Sequence, residues 1–297
     1  MSKPAPHVPT TNGATLRSLN GPALRQLDLT SSHRIRLGDA RDLAFLDDCS
    51  VHLVVTSPPY FNLKKYDGDS SNQLGDLSDY QEFLAQLDRV WAECARVLVP
   101  GGRVCCVVGA VNVARREGGR HYVLPLPSDI QVRSRQFGLD NLTPIIWLKV
   151  ANIKLEASTS SRFLGKPNLP NGVIKNDFET IVMLRKPGGY RKPTPEMETA
   201  SRIENEDYFK WFVPIWSDVT GASTRNHPAP FPVEIAYRLI RMFSFVGDRV
   251  LDPLSSASVR SIQRGFPTSR TCPTTNRSRS RMPSFALLAT IQRFFPR

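Results

Sequence analysis

Apolar residues along the chain follow two alternating patterns: short β-branched runs, and longer stretches with helical spacing. HRIRLGDARDLAFL (33–46) begins as a short strand and turns at Gly38-Asp39. SVHLVVTSPPY (50–60) contains a fully buried strand, since its apolar run is too short and too β-branched for a helix. The two prolines must end that strand, because proline cannot donate to a central sheet ladder.

The next stretch predicts a helix followed by a strand. Ser78 or Asp79 provides the N-cap, and Pro100-Gly101-Gly102 is expected to end the helix before the buried strand RVCCVVGAV (103–111). Apolar residues recur at helical spacing at Leu77, Tyr80, Phe83, Leu84, Leu87, Val90 and Trp91. Strand, helix and strand in this order predict an α/β fold: a doubly wound, mostly parallel sheet with helices on both faces, of the Rossmann-like kind.

The pattern of hydrophobic and polar residues changes twice after this unit. A helix and a strand ending near Trp147 complete the first part, and the following region holds loop signals, one clear strand (FETIVMLRK) and a polar helix (ENEDYFKWF). A proline-started helix and the strand RVLDP then restore the α/β pattern. The predicted division is a disordered lead-in at 1–28, a first α/β part at 29–150, a loop-rich region at 151–226, a second α/β part at 227–253 and a basic tail at 254–297.

Composition limits the cell compartment and the partners. No apolar run approaches the roughly 20 residues that span a bilayer, and the N-terminus has no apolar signal core, so we expect a cytoplasmic protein without membrane contact. The net charge is +12, but residues 253–297 hold eight arginines and no acid, which leaves +4 for the remainder. That mild excess is compatible with DNA binding without establishing it.

The five cysteines show no metal-binding or redox spacing. They are Cys49, Cys94, Cys105, Cys106 and Cys272. Because no CxxC motif or His cluster accompanies them, we expect buried free thiols in a reducing compartment, and no metal site. A metal or redox role is the alternative.

The segment Ser57-Pro58-Pro59-Tyr60 suits the recognition of an amino group on a planar ring. Ligands of open parallel sheets bind beyond the carboxyl ends of the strands, where this segment lies. Two prolines fix the direction of the nearby carbonyls, so one carbonyl and the Ser57 hydroxyl can accept both N–H bonds of a single NH₂ group. Tyr60 offers a face on which the ring can stack. The alternative is a proline-rich turn without chemistry.

TSPPYFNLKKYDG (56–68) and the helix and strand after it resemble the amino-methyltransferases of DNA. These S-adenosylmethionine-dependent enzymes methylate cytosine N4 or adenine N6 and carry (Ser/Asn/Asp)-Pro-Pro-aromatic at this site. HPAPFPVEIAYRLIRMFSFVGDRVLDP (227–253) resembles the segment that leads into the cofactor loop in the family's beta-type motif order. The resemblance covers roughly residues 30–253 and implies a site-specific DNA methyltransferase associated with the nucleoid. It makes 29–150 the catalytic half, 151–226 the target-recognition region, 227–253 the cofactor-side part and 254–297 an aberrant tail.

The resemblance assigns roles to individual residues. Ser57 and the Pro58 carbonyl would hold the target amine, with Tyr60 stacked on a base flipped out of the duplex. The cofactor-binding residues would be Asp39, His227, Pro228, Phe231, Asp252 and Pro253. A surface turn at Asp39 and a helix-capping role for His227 are the alternatives. Methyl transfer in this family is direct, so no catalytic cysteine is expected.

Double-stranded DNA is the partner that the resemblance implies, with a restriction endonuclease as a functional counterpart. Basic residues near the two motifs and in the recognition region are the candidates for phosphate and base contacts: Lys64, Lys65, Arg162, Lys166, Arg185, Lys186, Arg191 and Lys192. Basic loops are often only solvated surface, and for any single one of these residues that is the favoured interpretation. Serine at the first motif position favours cytosine over adenine, and the oligomeric state stays open.

The chain departs from the family after Asp252-Pro253. The family continues with an aromatic residue, Gly-x-Gly, a helix and a strand that ends in an acid binding the ribose hydroxyls. Here the sequence continues LSSASVRSIQRGF, with no Gly-x-Gly and no Asp or Glu after Asp252. A shift of reading frame just after codon 253 would explain this. NRSRSR (276–281) can be encoded by codons that, read one base later, give Ile-Glu-Val-Glu-Val-Glu.

Three interpretations follow from the sequence. The first is a DNA amino-methyltransferase whose altered C-terminus impairs cofactor binding. The second is a non-catalytic DNA-binding remnant. The third is a related enzyme acting on RNA or a small molecule, which the size of the recognition region disfavours. Bound cofactor distinguishes the first interpretation from the second.

Overall fold

The computed structural model describes residues 32–59, 61, 74, 77–149, 170, 174, 176–221, 232–255 and 285–290. The strands are β1 (Ser32–Leu37), β2 (Val51–Thr56), β3 (Leu98–Val108), β4 (Val111–Val113), β5 (Tyr122–Leu124), β6 (Asp140–Asn141), β7 (Ile145–Leu148), β8 (Phe178–Arg185), β9 (Ile215–Trp216), β10 (Arg249–Ser255) and β11 (Phe285–Thr290). The helices are α1 (Tyr80–Val97), α2 (Arg115–Gly118), α3 (Leu126–Arg133), α4 (Pro195–Ser201), α5 (Asn205–Trp211) and α6 (Val233–Phe243), with a 3₁₀ turn at Ser134–Phe137.

One nine-stranded sheet organises the fold. Its order is β1-β11-β10-β2-β3-β8-β7-β9, with β6 pairing β8 beside this path, while β4 and β5 form a separate hairpin. Among these described strands β8 and β11 run opposite to the rest, because every one of their pairings is antiparallel. The predicted α/β class with a mostly parallel, doubly wound sheet is confirmed.

Helices cover both faces of the central strands. Val54 and Val104 belong to a core that includes the apolar stripe of α1, whereas Leu53 and Cys105 belong to a second core with Ile235 of α6. This division follows from the two-residue period of strands, which sends neighbouring side chains to opposite faces. The buried run along β2 and β3 therefore fills two cores at once, as a parallel sheet requires.

Helix α1 begins where the sequence predicts and ends earlier. The Asp79 carboxylate accepts a hydrogen bond from the Glu82 amide at 2.8 Å, which confirms the predicted N-cap. The helix ends at Val97, and Pro100-Gly101-Gly102 lies inside β3 rather than at the helix terminus. Gly101, with φ of 78°, donates its amide to the Lys186 carbonyl, so the glycine bends the strand next to the end of β8.

Part of the region expected to be a separate module belongs to the sheet itself. Strand β8 pairs with β3 on one side and β7 on the other, and β9 extends the sheet beyond β7. Trp147 and Trp216 are buried on these strands, and their indole N–H groups donate to backbone carbonyls at 2.9 Å. The proposed boundaries 151–226 therefore include sheet strands, because a buried antiparallel strand interrupts the loop-rich sequence.

The basic tail contributes a strand. Residues 285–290 form β11, which lies between β1 and β10 and runs antiparallel to both. The rest of the segment 256–297, including Cys272, lies outside the described residues, as does the predicted lead-in at 1–28.

The thiol prediction is confirmed at three of the described cysteines. Cys94, Cys105 and Cys106 are free and buried, and burial raises the pKa of each thiol, to about 12 for Cys105. For Cys49 the prediction of burial is wrong, because it lies in the exposed turn before β2 with φ of 52°. Within the described parts of the chain, no helix has both the length and the apolar character needed to cross a membrane.

Candidate active site

The candidate site lies at the carboxyl ends of β2 and β10, which are parallel neighbours. From β2 the chain passes through α1 to β3 on one side, whereas β10 has β11 on the other side. Connections that leave two adjacent strands in opposite directions form a topological switch point, where open α/β sheets bind ligands. Both sequence motifs therefore converge on the crevice at which this fold binds ligands.

The Ser-Pro-Pro segment leaves β2 directly at this crevice. Strand β2 ends at the fully buried Thr56, after which Ser57 is half-buried, Pro58 is buried and Pro59 is half-buried. Tyr60 lies outside the described residues. The half-buried Ser57 is partly accessible from solvent, while the buried Pro58 anchors the backbone whose carbonyl is the second predicted acceptor.

Thr56 joins the two motifs, and sequence analysis missed it. Its hydroxyl donates to the Asp252 carboxylate at 2.7 Å, across 196 positions of sequence. The same carboxylate oxygen accepts the Leu254 amide at 3.1 Å. The hydroxyl of Thr56 could have been noticed as a polar group at the last position of an otherwise apolar strand, but no local pattern indicates its partner.

The Asp252 carboxyl has an unusual proton affinity. Burial raises its pKa to about 6, against the opposing hydrogen bonds from Thr56 and the Leu254 amide. The two hydrogen bonds favour the charged form but only partly compensate the lost hydration. The carboxyl therefore changes charge close to neutral pH, a property common at functional sites. Pro253, buried beside it, lies where the β10–β11 register shifts, at a position that needs no ladder N–H.

An aromatic cluster anchors the chain immediately after the Ser-Pro-Pro-Tyr segment. The Phe61 ring is buried and lies 5.3 Å from the Tyr80 ring and 5.4 Å from the Phe83 ring of α1, between centroids. The Tyr80 hydroxyl in turn donates to Asp129 at 2.7 Å, and burial together with this carboxylate raises the Tyr80 pKa. Phe61 therefore holds the far side of the predicted base-binding segment against the helix.

Asp39 reaches the same edge of the sheet from β1. Strand β1 runs in the direction of β10 and β2, so its carboxyl end and Asp39 lie on the side of Thr56 and Asp252. Arg41 binds the carboxylate through its Nε at 2.9 Å and Nη2 at 2.6 Å. Burial alone would raise the Asp39 pKa, but the hydrogen bonds from Arg41 outweigh it, and the pKa is lowered.

Several predicted site residues lie outside the described part of the chain. On the cofactor side these are His227, Pro228 and Phe231, and on the DNA side they are Lys64, Lys65, Arg162 and Lys166. The described structure neither joins them to the crevice nor separates them from it.

Four predicted DNA-binding residues lie away from the crevice. Arg185 is the last residue of β8 and pairs in register with Arg103, which lies beside Leu53 of β2, so both arginines lie toward the amino ends of the parallel strands and away from Ser57. Lys186 donates to the Leu98 carbonyl at 2.8 Å, and Arg191 donates to the buried Asp248 carboxylate at 2.6 Å. Lys192 is exposed next to Arg191. Sequence reasoning could not separate these residues from the site, because antiparallel β8 carries the chain across the sheet before they occur.

The cofactor side of the crevice is present in part. Asp252 follows the residues of β10 that pair with β2, where the resemblance predicts an acid, but the position between β1 and β10 is taken by the antiparallel β11. Its sequence, FALLAT, carries no acid, and its direction brings its first residue, not its last, to the carboxyl edge. The described residues thus provide two acidic groups of the expected site, Asp39 and Asp252, but no acid at the end of a strand between β1 and β10 that would bind the ribose hydroxyls.

Comparisons with known proteins agree with this arrangement. The sequence pattern of the N6/N4 DNA methylases matches residues 51–256. Among curated relatives, the type II methyltransferase M.MjaI of Methanocaldococcus jannaschii is 36% identical over 77% of this chain and 82% of its own length. M.MthZI of Methanothermobacter thermautotrophicus is 34% identical over 76% of this chain and 67% of its own.

A solved structure is also similar. The putative DNA modification methylase TTHA0409 of Thermus thermophilus is 51% identical, with a TM-score of 0.59 over 75% of this chain and 79% of the other. A second structure of that protein, in complex with S-adenosyl-L-methionine, gives a TM-score of 0.60 at the same identity of 51%, over 74% and 78% of the two chains.

Proposed function

The chain belongs to the N6/N4 family of DNA methylases, and from this premise we propose that it is a site-specific methyltransferase acting on cytosine N4 in a short duplex DNA site. Its methyl donor is S-adenosylmethionine. The observation that carries the proposal is the hydrogen bond from Thr56 to Asp252, because it joins the Ser-Pro-Pro-Tyr segment and the acidic motif at one edge of the sheet. The protein would work in the cytoplasm, on nucleoid DNA.

The residues of the Ser-Pro-Pro-Tyr segment would hold the target amine. Ser57 Oγ and the Pro58 carbonyl accept one N–H bond each, and Tyr60 stacks on the flipped base. Two acceptors that hold the hydrogens out of the ring plane localise the nitrogen lone pair, which makes the amine a better nucleophile. S-adenosylmethionine would supply the methyl group, while Ser57 Oγ and the Pro58 carbonyl would keep the amine oriented and its surplus proton would pass to solvent.

Cytosine is favoured over adenine by one residue, Ser57, since adenine enzymes of this family more often carry Asp or Asn there. Sequence recognition would come from the segment around residues 151–175 with Lys64 and Lys65, since β8 and β9 are occupied as sheet strands. A restriction endonuclease with the same recognition site would be its functional partner, in keeping with the type II names of the relatives.

We also propose that this 297-residue chain binds its cofactor weakly. No Asp or Glu follows Asp252 in the sequence, and acid-free β11 lies where the fold would accommodate the strand whose terminal acid binds ribose. This favours a second candidate function, a DNA-binding remnant that recognises a site without methylating it. A frame change after codon 253 accounts for the same features and predicts a Phe-x-Gly-x-Gly segment in a neighbouring frame of the gene.

One experiment tests function and impairment together. The chain and a frame-restored version are expressed in a host without DNA methylation, and modified bases are mapped by single-molecule sequencing. We expect N4-methylcytosine in one short motif for the restored version and little or none for the present chain. A Ser57→Ala variant of the restored version is the matched control and should abolish modification.

Each outcome has a distinct meaning. N6-methyladenine would overturn the cytosine assignment and leave the family unchanged. Calorimetry that showed micromolar S-adenosylmethionine binding by the present chain would refute the proposed impairment. Motif-specific DNA binding without modification by either version would support the remnant instead.

A further inference from the structure

A cleft opens at the edge of the sheet opposite the candidate active site. It has a volume of about 430 Å³ and lies between the start of β3, the turn after β8, helix α4 and the C-terminal end of α6. This volume is within the usual range of small-ligand pockets. Five arginines and a single acid, Glu198, line it; the arginines are Arg103, Arg185, Arg191, Arg202 and Arg241.

Two of these arginines face each other without adequate neutralisation. Arg103 and Arg185 are directly opposite in the antiparallel β3–β8 register, where like charges destabilise a sheet. Among the described residues no carboxylate lies within ion-pair distance of Arg103, and Arg185 has only a 3.5 Å contact with the exposed Asp140. The Nε of Arg185 is buried and finds no hydrogen-bond partner in the described structure.

The Arg103 guanidinium is also partly desolvated. It lies 4.6 Å from the centroid of the Phe243 ring, and burial, together with the charge of Arg185, lowers its pKa. Holding two such cations side by side costs stability unless a group outside the described chain compensates them. An anion in the cleft would supply that compensation.

One further cation of the cleft, Arg191, is already paired with a carboxylate and helps to shape the cleft. Arg191 forms a two-contact pair with the buried Asp248, and its guanidinium lies 5.0 Å from the Phe245 ring centroid. The hydroxyl of Ser244 donates to the Ile240 carbonyl at 2.6 Å, which satisfies a carbonyl of the last turn of α6. These contacts fix the wall of the cleft next to the uncompensated pair.

The rim of the cleft is aromatic and open to solvent. Tyr190 is 84% exposed, Tyr208 is 49% exposed and Phe212 is 42% exposed. The rings of Tyr208 and Phe212 stack at 4.6 Å between centroids. Exposed rings beside clustered arginines are the combination with which proteins bind a phosphate group attached to a planar base.

We propose that this cleft binds the phosphate groups of a nucleotide, with Arg103 and Arg185 on the phosphate and Tyr190 on the base. Phosphate fits better than a single carboxylate, because the guanidinium fork binds phosphate oxygens in pairs and two or more negative charges match the local excess. The nucleotide is either free in solution or part of a nucleic-acid strand, and the ligand chemistry is the same. This site is separate from the base-binding crevice.

Calorimetry on the full chain at low salt tests the proposal with three probes: pyrophosphate, adenosine diphosphate and a short thymidine oligonucleotide. We expect Arg103→Gln/Arg185→Gln to weaken pyrophosphate and nucleotide binding about tenfold or more. The exposed pair Arg115→Gln/Arg116→Gln is the matched control and should bind as the unmodified chain does. Tyr190→Ala should weaken adenosine diphosphate binding and leave pyrophosphate binding unchanged.

The probes also separate the two sources of the nucleotide. Loss of diphosphate binding alone in Arg103→Gln/Arg185→Gln indicates a free nucleotide, and loss of oligonucleotide binding as well indicates a strand. Arg103→Gln/Arg185→Gln removes a like-charge pair, so the urea midpoint of this variant should not fall. Tyr190→Ala provides a second test that does not depend on the sheet, because it alters an exposed ring. Absence of pyrophosphate and diphosphate binding, or equal weakening in both arginine double variants, would overturn the proposal.

Discussion

Replacing Asp252 by asparagine should make the stability of the protein less dependent on pH. The asparagine side chain has the same shape and can still accept the hydrogen bonds from Thr56 and the Leu254 amide. What changes is the cost of charging the carboxyl of the half-buried Asp252, whose pKa burial raises from 3.8 to about 6 in the folded protein. A difference of about two pKa units corresponds to about 3 kcal/mol.

The sign follows from which state binds the proton. Below about pH 3.8 both the folded and the unfolded protein carry a neutral Asp252, and the raised pKa costs nothing. Between about pH 4 and pH 6 the folded state keeps a proton that the unfolded state has lost, so stability falls as pH rises. Above about pH 6 the full penalty of about 3 kcal/mol is present, and Asp252→Asn removes it.

Equilibrium urea unfolding of both proteins from about pH 4 to pH 7 measures this difference. The free energy of unfolding of Asp252→Asn, minus that of the unmodified chain, should increase by about 3 kcal/mol over this range. Asp218→Asn is the control, because hydrogen bonds from Arg238 lower the Asp218 pKa to about 2 and its difference should stay constant above about pH 5. A flat difference for Asp252→Asn would mean that its carboxyl is hydrated and that the burial argument is wrong.

Three further substitutions test individual contacts by urea unfolding at neutral pH. Thr56→Val should lower the free energy of unfolding by about 1–3 kcal/mol, because the Asp252 carboxylate loses a hydrogen bond. Thr56→Ser keeps the hydroxyl and should lower it less; a Thr56→Val variant as stable as the unmodified chain would show that the hydrogen bond contributes nothing. Phe61→Ala should lower the free energy of unfolding by about 3 kcal/mol, because it leaves a cavity against α1. A decrease of less than about 0.5 kcal/mol would show that the ring is not anchored there. Asp248→Ala should lower the free energy of unfolding by about 3–5 kcal/mol, since it leaves Arg191 without its buried partner. A smaller decrease than that of Asp218→Ala would contradict this prediction.

The sequence predicts the central elements well because their signals are local. Strand β2, the cap of α1 at Asp79 and the strand RVLDP each depend on residues within one or two turns of chain. The end of α1 was misplaced, because Pro100-Gly101-Gly102 has the composition of a helix stop and its true role depends on a pairing with Lys186, which is distant in sequence. A glycine with positive φ serves a strand bend as readily as a helix end.

The site was predictable as two motifs but not as one contact. Ser57 and Asp252 each follow an apolar strand, which is enough to propose a ligand edge. The hydrogen bond from Thr56 to Asp252 could not be predicted, since it depends on β10 and β2 being parallel neighbours. For the same reason Arg185 and Arg191 could not be assigned to the opposite edge, because their position follows from the direction of β8 and not from composition.

The placement of β11 has a consequence for the order in which the molecule assembles. Strand β1 pairs with no described strand other than β11, and the partners Ser32 and Thr290 are separated by roughly 250 positions. During synthesis the pairing of β1 with β11 must wait until β11 has been made, while β2, α1 and β3 can already associate. The loop after β1 has a separate attachment, since the Leu43 amide donates to Glu93 at 2.8 Å and Arg96 donates to the Leu43 carbonyl at 2.9 Å. In a nascent chain the loop after β1 would therefore attach to α1 early, and β1 and β11 would pair last.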